Sequence, residues 1–194
     1  MAHVILGLLM LWPQSLYELT KNFEAGVSLF YSASTGSIKR ALDHLLDAGH
    51  ISVQSEEGPR GKRVYTITNS GRVEFRRWML DPEFGGDSET AILARTYFLG
   101  LLPPEDRPAV SAHVRDRIRR DLGTLEHLEQ RVAAGDVPAG FEDIATYQRA
   151  TLEYGLIVGR AAREWAGDVH SHEAGDGEES AVERVEKDGA ITER

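Results

Sequence analysis

The sequence predicts a mainly α-helical protein with one small β-hairpin, and three observations support this fold class. Apolar residues recur at intervals of three and four along most of the chain, which is typical of amphipathic helices. One pair of alternating runs, about 50–55 and 63–68, predicts two paired strands. The 194 residues are 41% hydrophobic and 27% charged, a composition typical of a globular chain of one or two domains.

The first 26 residues predict two helices. An apolar run over about 2–11 forms the first, which ends before Pro13 because proline cannot continue a helix. Ser15 and Glu18 have the spacing of a capping box, in which each side chain accepts a hydrogen bond from the other residue's backbone. A second helix therefore begins there and runs to about Ala25.

A third helix is predicted within the stretch SASTGSIKRALDHLLDAGHI, residues 32–51. Its apolar residues follow the spacing i, i+4, i+7 and i+8: Ile38, Leu42, Leu45 and Leu46. Gly49 stands where a glycine commonly ends a helix. The remaining face carries hydroxyl and charged side chains, including Thr35, Lys39 and Arg40. Taken alone, this helix is better explained by an ordinary solvated face than by a face that binds an anion.

Three helices followed by a hairpin have the order of a winged helix-turn-helix, which changes the interpretation of that face. In this fold the third helix enters the major groove of DNA and the hairpin tip lies along the backbone. Small residues let the helix N-terminus approach phosphates, and basic residues one turn later reach phosphates or base edges. The predicted DNA-binding residues are Ser34, Thr35, Ser37, Lys39, Arg40, Arg60, Lys62 and Arg63.

The charge distribution is compatible with this hypothesis. The chain has a net charge of −9, yet residues 1–80 hold nine Lys and Arg against seven Asp and Glu. The acidic excess lies in the later part of the chain. A mildly basic first region with an acidic remainder is compatible with nucleic-acid binding by one face.

Beyond the hairpin the pattern is helical throughout. Residues 70–80 form a fourth helix, and longer helices are predicted over 88–102, 105–134 and 141–166. The last two make a helical hairpin that cannot cover its own apolar stripe, so a symmetric homodimer is expected, with an intramolecular bundle as the alternative. The predicted division is a winged-helix domain at 1–82, a hinge at 83–87, a helical dimerisation domain at 88–167 and a disordered acidic tail at 168–194.

Several function classes are unsupported by the sequence. The chain has no cysteine, and it carries no nucleophile elbow, phosphate-binding loop, HExxH motif or dinucleotide fingerprint, so we do not expect an enzyme or a cofactor. The seven histidines are scattered, and those of the acidic tail fit a solvated segment better than a metal site. The N-terminal apolar run lacks a basic start and a cleavage motif and is too short to span a membrane, so a cytoplasmic protein is expected.

Five short motifs in register resemble the PadR family of transcriptional regulators. They are ILGLL at 5–9, YEL at 17–19, S-x-G-x-I-x-x-A-L at 34–42, LDAGHI at 46–51 and Y-x-I-T-x-x-G at 65–71. The resemblance implies a dimeric regulator, usually a repressor, that often releases its DNA operator when a small molecule binds. The chain departs from the family pattern at Thr35, where many members have an aromatic residue, and at Lys39-Arg40, where many have Tyr-Pro.

Two hypotheses remain open beside DNA binding. A small aromatic effector would need apolar walls, and the candidate residues are Trp12, Tyr97, Phe98, Tyr147, Tyr154 and Trp165. The alternative for these aromatics is packing in the core and the dimer interface. The alternative function is a helical adaptor whose winged helix binds another protein, an interpretation that the basic wing tip argues against.

Overall fold

The structure, a computed structural model, describes the backbone of residues 1–55, 63–85 and 87–189, with side chains described within 1–54, 63–85 and 87–169. It divides into two compact units, Met1–Val110 and the part from Ser111 onward. The elements are α1 (Ala2–Leu11), β1 (Gln14–Ser15), α2 (Leu16–Ala25), α3 (Thr35–Asp47), β2 (Ile51–Ser55), β3 (Arg63–Ile67), α4 (Asn69–Leu80), α5 (Ser88–Phe98), α6 (Arg107–Ala134) and α7 (Glu142–Gly189).

The predicted fold class is confirmed, and helix capping explains where the first helices begin. Ser15 caps α2 as a capping box, since its hydroxyl accepts from the Glu18 amide at 3.3 Å and its own amide donates to the Glu18 carboxylate at 2.7 Å. Thr68 caps α4 by accepting from the Gly71 amide at 3.2 Å. Gly49, with φ of +70°, follows the end of α3 in the left-handed conformation that glycine adopts most easily.

Helix α1 is the centre of the first unit. It packs against α2, α3, α4 and β3. Five of its apolar side chains are almost fully buried: Val4, Ile5, Leu6, Leu8 and Leu9. Because these residues are nearly consecutive, they cover every side of the helix, and each surrounding element must turn its own apolar face toward α1.

A small antiparallel sheet completes the winged helix. Strands β2 and β3 pair with Ile51 opposite Ile67 and Val53 opposite Tyr65, as the alternating pattern predicts. The structure adds a third strand that the sequence analysis does not predict: β1 pairs with the other edge of β3. Two residues are too few to show an alternating pattern. The buried Gln14 side chain holds β1 by donating to the Leu8 carbonyl at 2.7 Å.

The boundary between the two compact units falls after Val110, whereas the sequence predicts a hinge at 83–87. The reason is that α5 packs within the first unit. A Cβ added to Gly7 would lie 2.8 Å from the Phe98 ring, so the absence of a side chain at Gly7 lets that ring lie against α1. The same ring meets Phe75 edge-on, with centroids 6.0 Å apart. Phe84, inside the predicted hinge, is also buried.

A buried arginine anchors the segment between α4 and α5. Arg95 is 2% exposed, and its guanidinium donates to the Trp78 carbonyl at 3.1 Å. The same group lies over the Trp78 ring at 4.7 Å and over the Phe84 ring at 4.2 Å. Burial lowers the pKa of Arg95, and the nearby Asp81 carboxylate partly opposes this shift. These contacts tie 78–84 to α5, and the predicted hinge at 83–87 stays a prediction.

A hydrogen-bonded cluster joins α1 to α4. The Nε2 atom of His3 lies 3.0 Å from the Glu74 carboxylate, which also accepts two hydrogen bonds from Arg77 at 2.7 and 2.9 Å. The His3 ring stacks on Trp78 with centroids 5.0 Å apart. Hydrogen bonding by Arg77, followed by that of His3, outweighs desolvation and lowers the pKa of Glu74 to about 2.

The second unit is a helical hairpin of α6 and α7. Glycines on α7 allow close packing, because a Cβ at Gly159 would lie 3.0 Å from Leu122 and one at Gly155 would lie 3.3 Å from Leu125. Composition predicts disorder over 168–194, whereas the structure continues the α7 backbone to Gly189. Glutamate, which has a high helix propensity, is the commonest residue of this segment, and low hydrophobicity alone does not predict the conformation of its backbone.

Replacing Gly71 with alanine should destabilise the first unit. A Cβ at this position would meet the His50 carbonyl oxygen and the Ile67 side chain, and the backbone oxygen cannot move without disturbing the start of β2. We expect Gly71→Ala to lower the free energy of unfolding by about 1–3 kcal/mol in urea titrations. Gly123→Ala is the matched control, since its Cβ meets nothing and alanine should stabilise α6 by up to about 1 kcal/mol. Equal stability of Gly71→Ala and wild type would contradict the observed packing.

Removing the Glu74 carboxylate should have a pH-dependent effect. The folded pKa of Glu74 lies below its ordinary value of 4.5, so its stabilising contribution is present above pH 4.5 and is lost as the pH falls toward about 2. We expect Glu74→Gln to be less stable than wild type at pH 6, with a difference that shrinks below pH 4.5. Chemical unfolding from pH 6 to pH 3 measures this, with the exposed Glu153→Gln as control. A difference that stays constant over this range would show that the cluster does not act through the carboxylate charge.

Candidate nucleic-acid interface

The N-terminus of α3 is built by two serines that cap each other. The Ser34 hydroxyl accepts from the Ser37 amide at 3.2 Å, and the Ser37 hydroxyl accepts from the Ser34 amide at 2.9 Å. Thr35 and Gly36, between them, are exposed. The hydroxyls of the two serines thus stabilise the first turn, while the small residues between them leave the positive end of the helix accessible to an anion.

Lys39 and Arg40 project from the exposed face of α3. Their orientation follows from the opposite face, where Ile38, Leu42 and Leu45 are buried to 2% exposure or less. Among the residues that the structure describes, neither basic side chain has an ion-pair partner. Two positive charges without neutralising partners therefore lie one turn after the helix N-terminus.

A groove of about 940 Å³ lies between α2, the start of α3 and β3. It brings together three residues that the sequence analysis proposes for DNA binding, namely Thr35, Lys39 and Arg63. Arg63 is exposed at the first position of β3, and its guanidinium carbon lies 5.7 Å from the centroid of the buried Tyr65 ring. Arg40 is exposed on α3 but does not line this groove.

The groove also contains two α2 residues that the sequence analysis does not propose. Tyr17 is 71% exposed, and the ammonium group of Lys21 lies 6.0 Å from the centroid of its ring. The motif YEL at 17–19 contains Tyr17, but the spacing of the α2 apolar residues gives no sign that its ring faces the same groove as Lys39. That juxtaposition depends on the packing of α2 against α3.

The acidic residues of the groove are occupied by other contacts. Glu18 accepts hydrogen bonds from the Ser15 amide and hydroxyl, both at 2.7 Å. Glu24 pairs with Lys21 at 2.8 Å. The described side chains of the groove hold three cations and two carboxylates, and this small positive excess favours a negatively charged occupant.

Arg60 and Lys62 lie outside the described residues, so their contribution to the interface stays a prediction. Arg63 is the one proposed wing residue that the structure places, at the rim of the groove.

The proposed effector residues do not form one site within a unit. Phe98 is 2% exposed and belongs to the core of the first unit, and Tyr97 packs on Phe30 with centroids 5.5 Å apart. Trp12 is about half exposed at the end of α1 and does not line a described cavity with either of them. The other three candidates lie on α7 in the second unit: Tyr147, Tyr154 and Trp165. Their role as a shared effector site stays a prediction.

Within the part of the chain that the structure describes, no group of three or more His, Asp or Glu side chains is placed to hold a metal ion. None of the helices described here combines the length and the apolar character needed to cross a membrane.

Two family models match the chain in succession. Residues 5–77 match the transcriptional regulator PadR-like family, and residues 90–171 match the family described as the virulence activator alpha C-terminal domain. The first range contains α1–α3, the three strands and most of α4, and the second contains most of the helices that follow.

The chain is also similar to individual regulators. The negative transcriptional regulator PadR of Bacillus subtilis is 28% identical over 148 residues, which cover 72% of this chain and 78% of that protein. The probable transcriptional regulator Rv1176c of Mycobacterium tuberculosis is 26% identical over 179 residues, which cover 86% and 94%.

Solved structures of Bacillus subtilis PadR are among the matches. The complex with operator DNA is 22% identical, with a TM-score of 0.40 and coverage of 89% of this chain and 98% of that one. The complex with p-coumaric acid is also 22% identical, with a TM-score of 0.38 and coverage of 89% and 94%. The family models and the relatives confirm the resemblance that the five motifs indicate: residues 5–77 form a PadR-like family domain, and the chain is homologous to PadR-type transcriptional regulators.

Proposed function

We propose that this protein is a dimeric repressor that binds operator DNA with the groove formed by α2, α3 and β3 and releases it when a small molecule binds. It works in the cytoplasm, where it has access to chromosomal DNA. The observation that carries this proposal is a pair of basic side chains, Lys39 and Arg63, which have no ion-pair partner among the described residues and line one groove of a winged helix-turn-helix whose recognition helix begins with small residues.

The recognition helix has the chemistry needed to meet a duplex. Thr35 and Gly36 allow the N-terminus of α3 to approach a phosphate, where free amides and the helix dipole favour an anion. Lys39 and Arg40 are one turn further and reach either phosphates or base edges, and an arginine can form two hydrogen bonds with guanine. Tyr17 and Lys21 on α2 extend the contact toward the backbone, because the first helix of this motif crosses it.

The wing supplies charge without sequence selectivity. Arg60, Lys62 and Arg63 place three cations in and beside a tip that contains glycine and proline and no large apolar residue. Such a segment suits phosphate contacts, which set the affinity and position of the protein rather than its choice of bases.

Helix α7 supports dimerisation. An exposed seam repeats at intervals of four and three residues, the pattern of a coiled coil. Its members are Tyr147, Thr151, Tyr154, Val158, Ala161 and Trp165. Tyr147 and Tyr154 are 75% and 70% exposed in the single chain, so a second copy that packs on this seam would remove large apolar surfaces from water. The α7 aromatics proposed for an effector all lie on this seam.

Repression and effector release are supported by the relatives. The Bacillus subtilis protein is named a negative regulator, and its structures include complexes with operator DNA and with p-coumaric acid. Release requires the effector to bind the DNA-free state more tightly than the DNA-bound state, because a ligand with equal affinity for both shifts neither.

Truncation of the basic residues on α3 tests the proposed interface. We expect Lys39→Ala and Arg40→Ala each to weaken binding to a duplex from the gene's own upstream region, measured by fluorescence anisotropy over a series of salt concentrations. Loss of a phosphate contact should reduce the salt slope by about one for every sequence. Loss of a base contact should cost about 1–3 kcal/mol at one operator position.

Arg163→Ala is the matched control for these variants, since it removes an exposed arginine from α7 and should leave DNA binding unchanged. Both α3 variants should keep the wild-type melting temperature, because they alter exposed side chains and leave the buried face intact. If both bound every duplex with wild-type affinity, α3 would not be the recognition helix.

A charge placed on the α7 seam tests the dimer. We expect Tyr154→Glu to convert a dimer into a monomer in sedimentation equilibrium at micromolar concentration, because burial of an unpaired carboxylate in an apolar interface is costly. Thr146→Glu adds the same charge to an exposed position away from the seam and should leave the dimer intact. A wild-type monomer at this concentration, or a Tyr154→Glu dimer as stable as wild type, would contradict the proposed interface.

A further inference from the structure

The exposed side chains of α3 point in different directions, which can be measured from the buried face of the helix. The helix turns by about 100° at each residue, and three side chains define its buried direction: Ile38, Leu42 and Leu45. Arg40 lies within about 15° of the opposite direction, whereas Lys39 lies about 90° to one side of it. In agreement, Lys39 lines the groove shared with α2 and β3, and Arg40 does not. Arg40 therefore projects straight away from the protein, and Lys39 lies on the flank of the helix.

Two carboxylates follow Arg40 on the side of α3 that faces away from the protein. Gly36, Arg40, Asp43 and Asp47 have the spacing i, i+4, i+7 and i+11, which places them in one line along the helix, here named the outer row. All four residues are exposed. Neither carboxylate has an ion-pair partner among the residues that the structure describes. The recognition helix thus carries unpaired negative charges on its most outward side.

A carboxylate on the outer row limits the groups that the helix can meet. A backbone phosphate would repel Asp43, because both groups are negatively charged. A carboxylate only accepts hydrogen bonds, and the base edges of the major groove offer donors only at the N6 amino group of adenine and the N4 amino group of cytosine. Adenine has the acceptor N7 beside its amino group, so cytosine is the better partner for a carboxylate. In the major groove, Asp43 therefore fits a cytosine.

The spacing along α3 places Asp43 beside Arg40. Residues three positions apart on a helix have Cβ atoms about 5–6 Å from each other. The separation of these two residues along the helix axis is about 4.5 Å, a little more than the rise of about 3.4 Å between successive base pairs. Asp43 can therefore reach the base pair next to the one that Arg40 contacts. Asp47 lies about 10 Å beyond Arg40 at the end of α3, whereas base contacts come from the N-terminal part of a recognition helix.

We propose that Arg40 and Asp43 determine which operator sequence the protein selects. Arg40 binds a guanine through its two acceptors, and Asp43 accepts a hydrogen bond from a cytosine of the neighbouring base pair. Lys39, on the flank of the helix, contacts phosphate instead. Asp43 acts mainly by exclusion, since guanine and thymine present no donor to a carboxylate. This inference rests on the proposed function and adds to it the side chains that select bases.

Selection of bound sites from a duplex library tests these roles. The library carries a random stretch of about 25 base pairs, long enough for two half-sites separated by one helical turn. Full-length wild-type protein should enrich sites that contain two adjacent G·C pairs. Arg40→Ala should lose the preference at one of these pairs. Asp43→Asn should change the other pair to A·T, because an asparagine side chain forms two hydrogen bonds with the N6 and N7 atoms of adenine.

Fluorescence anisotropy on the enriched duplex and its single-pair substitutions measures the size of each preference. Replacing the cytosine contacted by Asp43 with thymine should weaken wild-type binding by about tenfold. In Asp43→Asn this penalty should fall to about threefold or less. Asp43→Asn should also bind an unrelated duplex about threefold more tightly than wild type, because the variant lacks one negative charge on its DNA-binding face.

Asp47→Asn and Lys39→Ala are the matched controls. Asp47→Asn removes the same charge from the same outer row one turn later and should enrich the wild-type site. Lys39→Ala should weaken binding to every duplex by a similar factor and should also enrich the wild-type site. All of these variants alter exposed side chains, so each should keep the wild-type melting temperature.

Three results would overturn the roles given to Arg40 and Asp43. They are an unchanged site in Asp43→Asn, an equal change of site in Asp47→Asn, and a changed base preference in Lys39→Ala. Each of these results leaves the proposed function intact, because the wild-type protein still selects an operator. If the wild-type protein enriched no sequence at all, the proposed function itself would be contradicted, and the base-selecting roles with it.

Discussion

The burial of α1 is the constraint on which the rest of the first unit depends. Five nearly consecutive apolar side chains leave this helix no face that tolerates water, and each contributes roughly 1.5–3 kcal/mol when it is buried. The apolar surface of α1 is covered by α2, α3, α4 and β3. Because α3 turns Ile38 and Leu42 toward the interior, Lys39 and Arg40 must face outward. The polarity of the proposed DNA-binding face thus follows from the packing of a helix that is buried in the interior of the first unit.

Most of the fold could be predicted because its signals are local. Capping at Ser15 and Thr68, the glycine after α3 and the alternation in β2 and β3 each depend on residues close in sequence. The missed features depend on distant residues. β1 is held by the other edge of β3 and by Gln14, and the division after Val110 follows from the packing of Phe98 and the buried Arg95. Neither of these two features produces a periodic pattern of apolar residues in the sequence.

The candidate functional residues also divide into those that the local sequence predicts and those that depend on contacts between distant residues. Lys39 and Thr35 could be proposed as DNA-binding residues because the apolar residues of α3 are strongly periodic. This spacing identifies the exposed face of the helix from the sequence alone. Tyr17 could not, since its place in the groove depends on how α2 packs against α3. The aromatics chosen by residue type instead lie largely in the core or on the α7 seam.

In the proposed mode of binding, two copies of the chain present their α3 helices to one two-fold related operator. Hydroxyl-radical footprinting on a duplex from the gene's own upstream region tests this arrangement. We expect two symmetric regions of protection whose centres are separated by one helical turn, about 10 base pairs, or by a multiple of it. A single asymmetric region of protection at concentrations that saturate the DNA would contradict it.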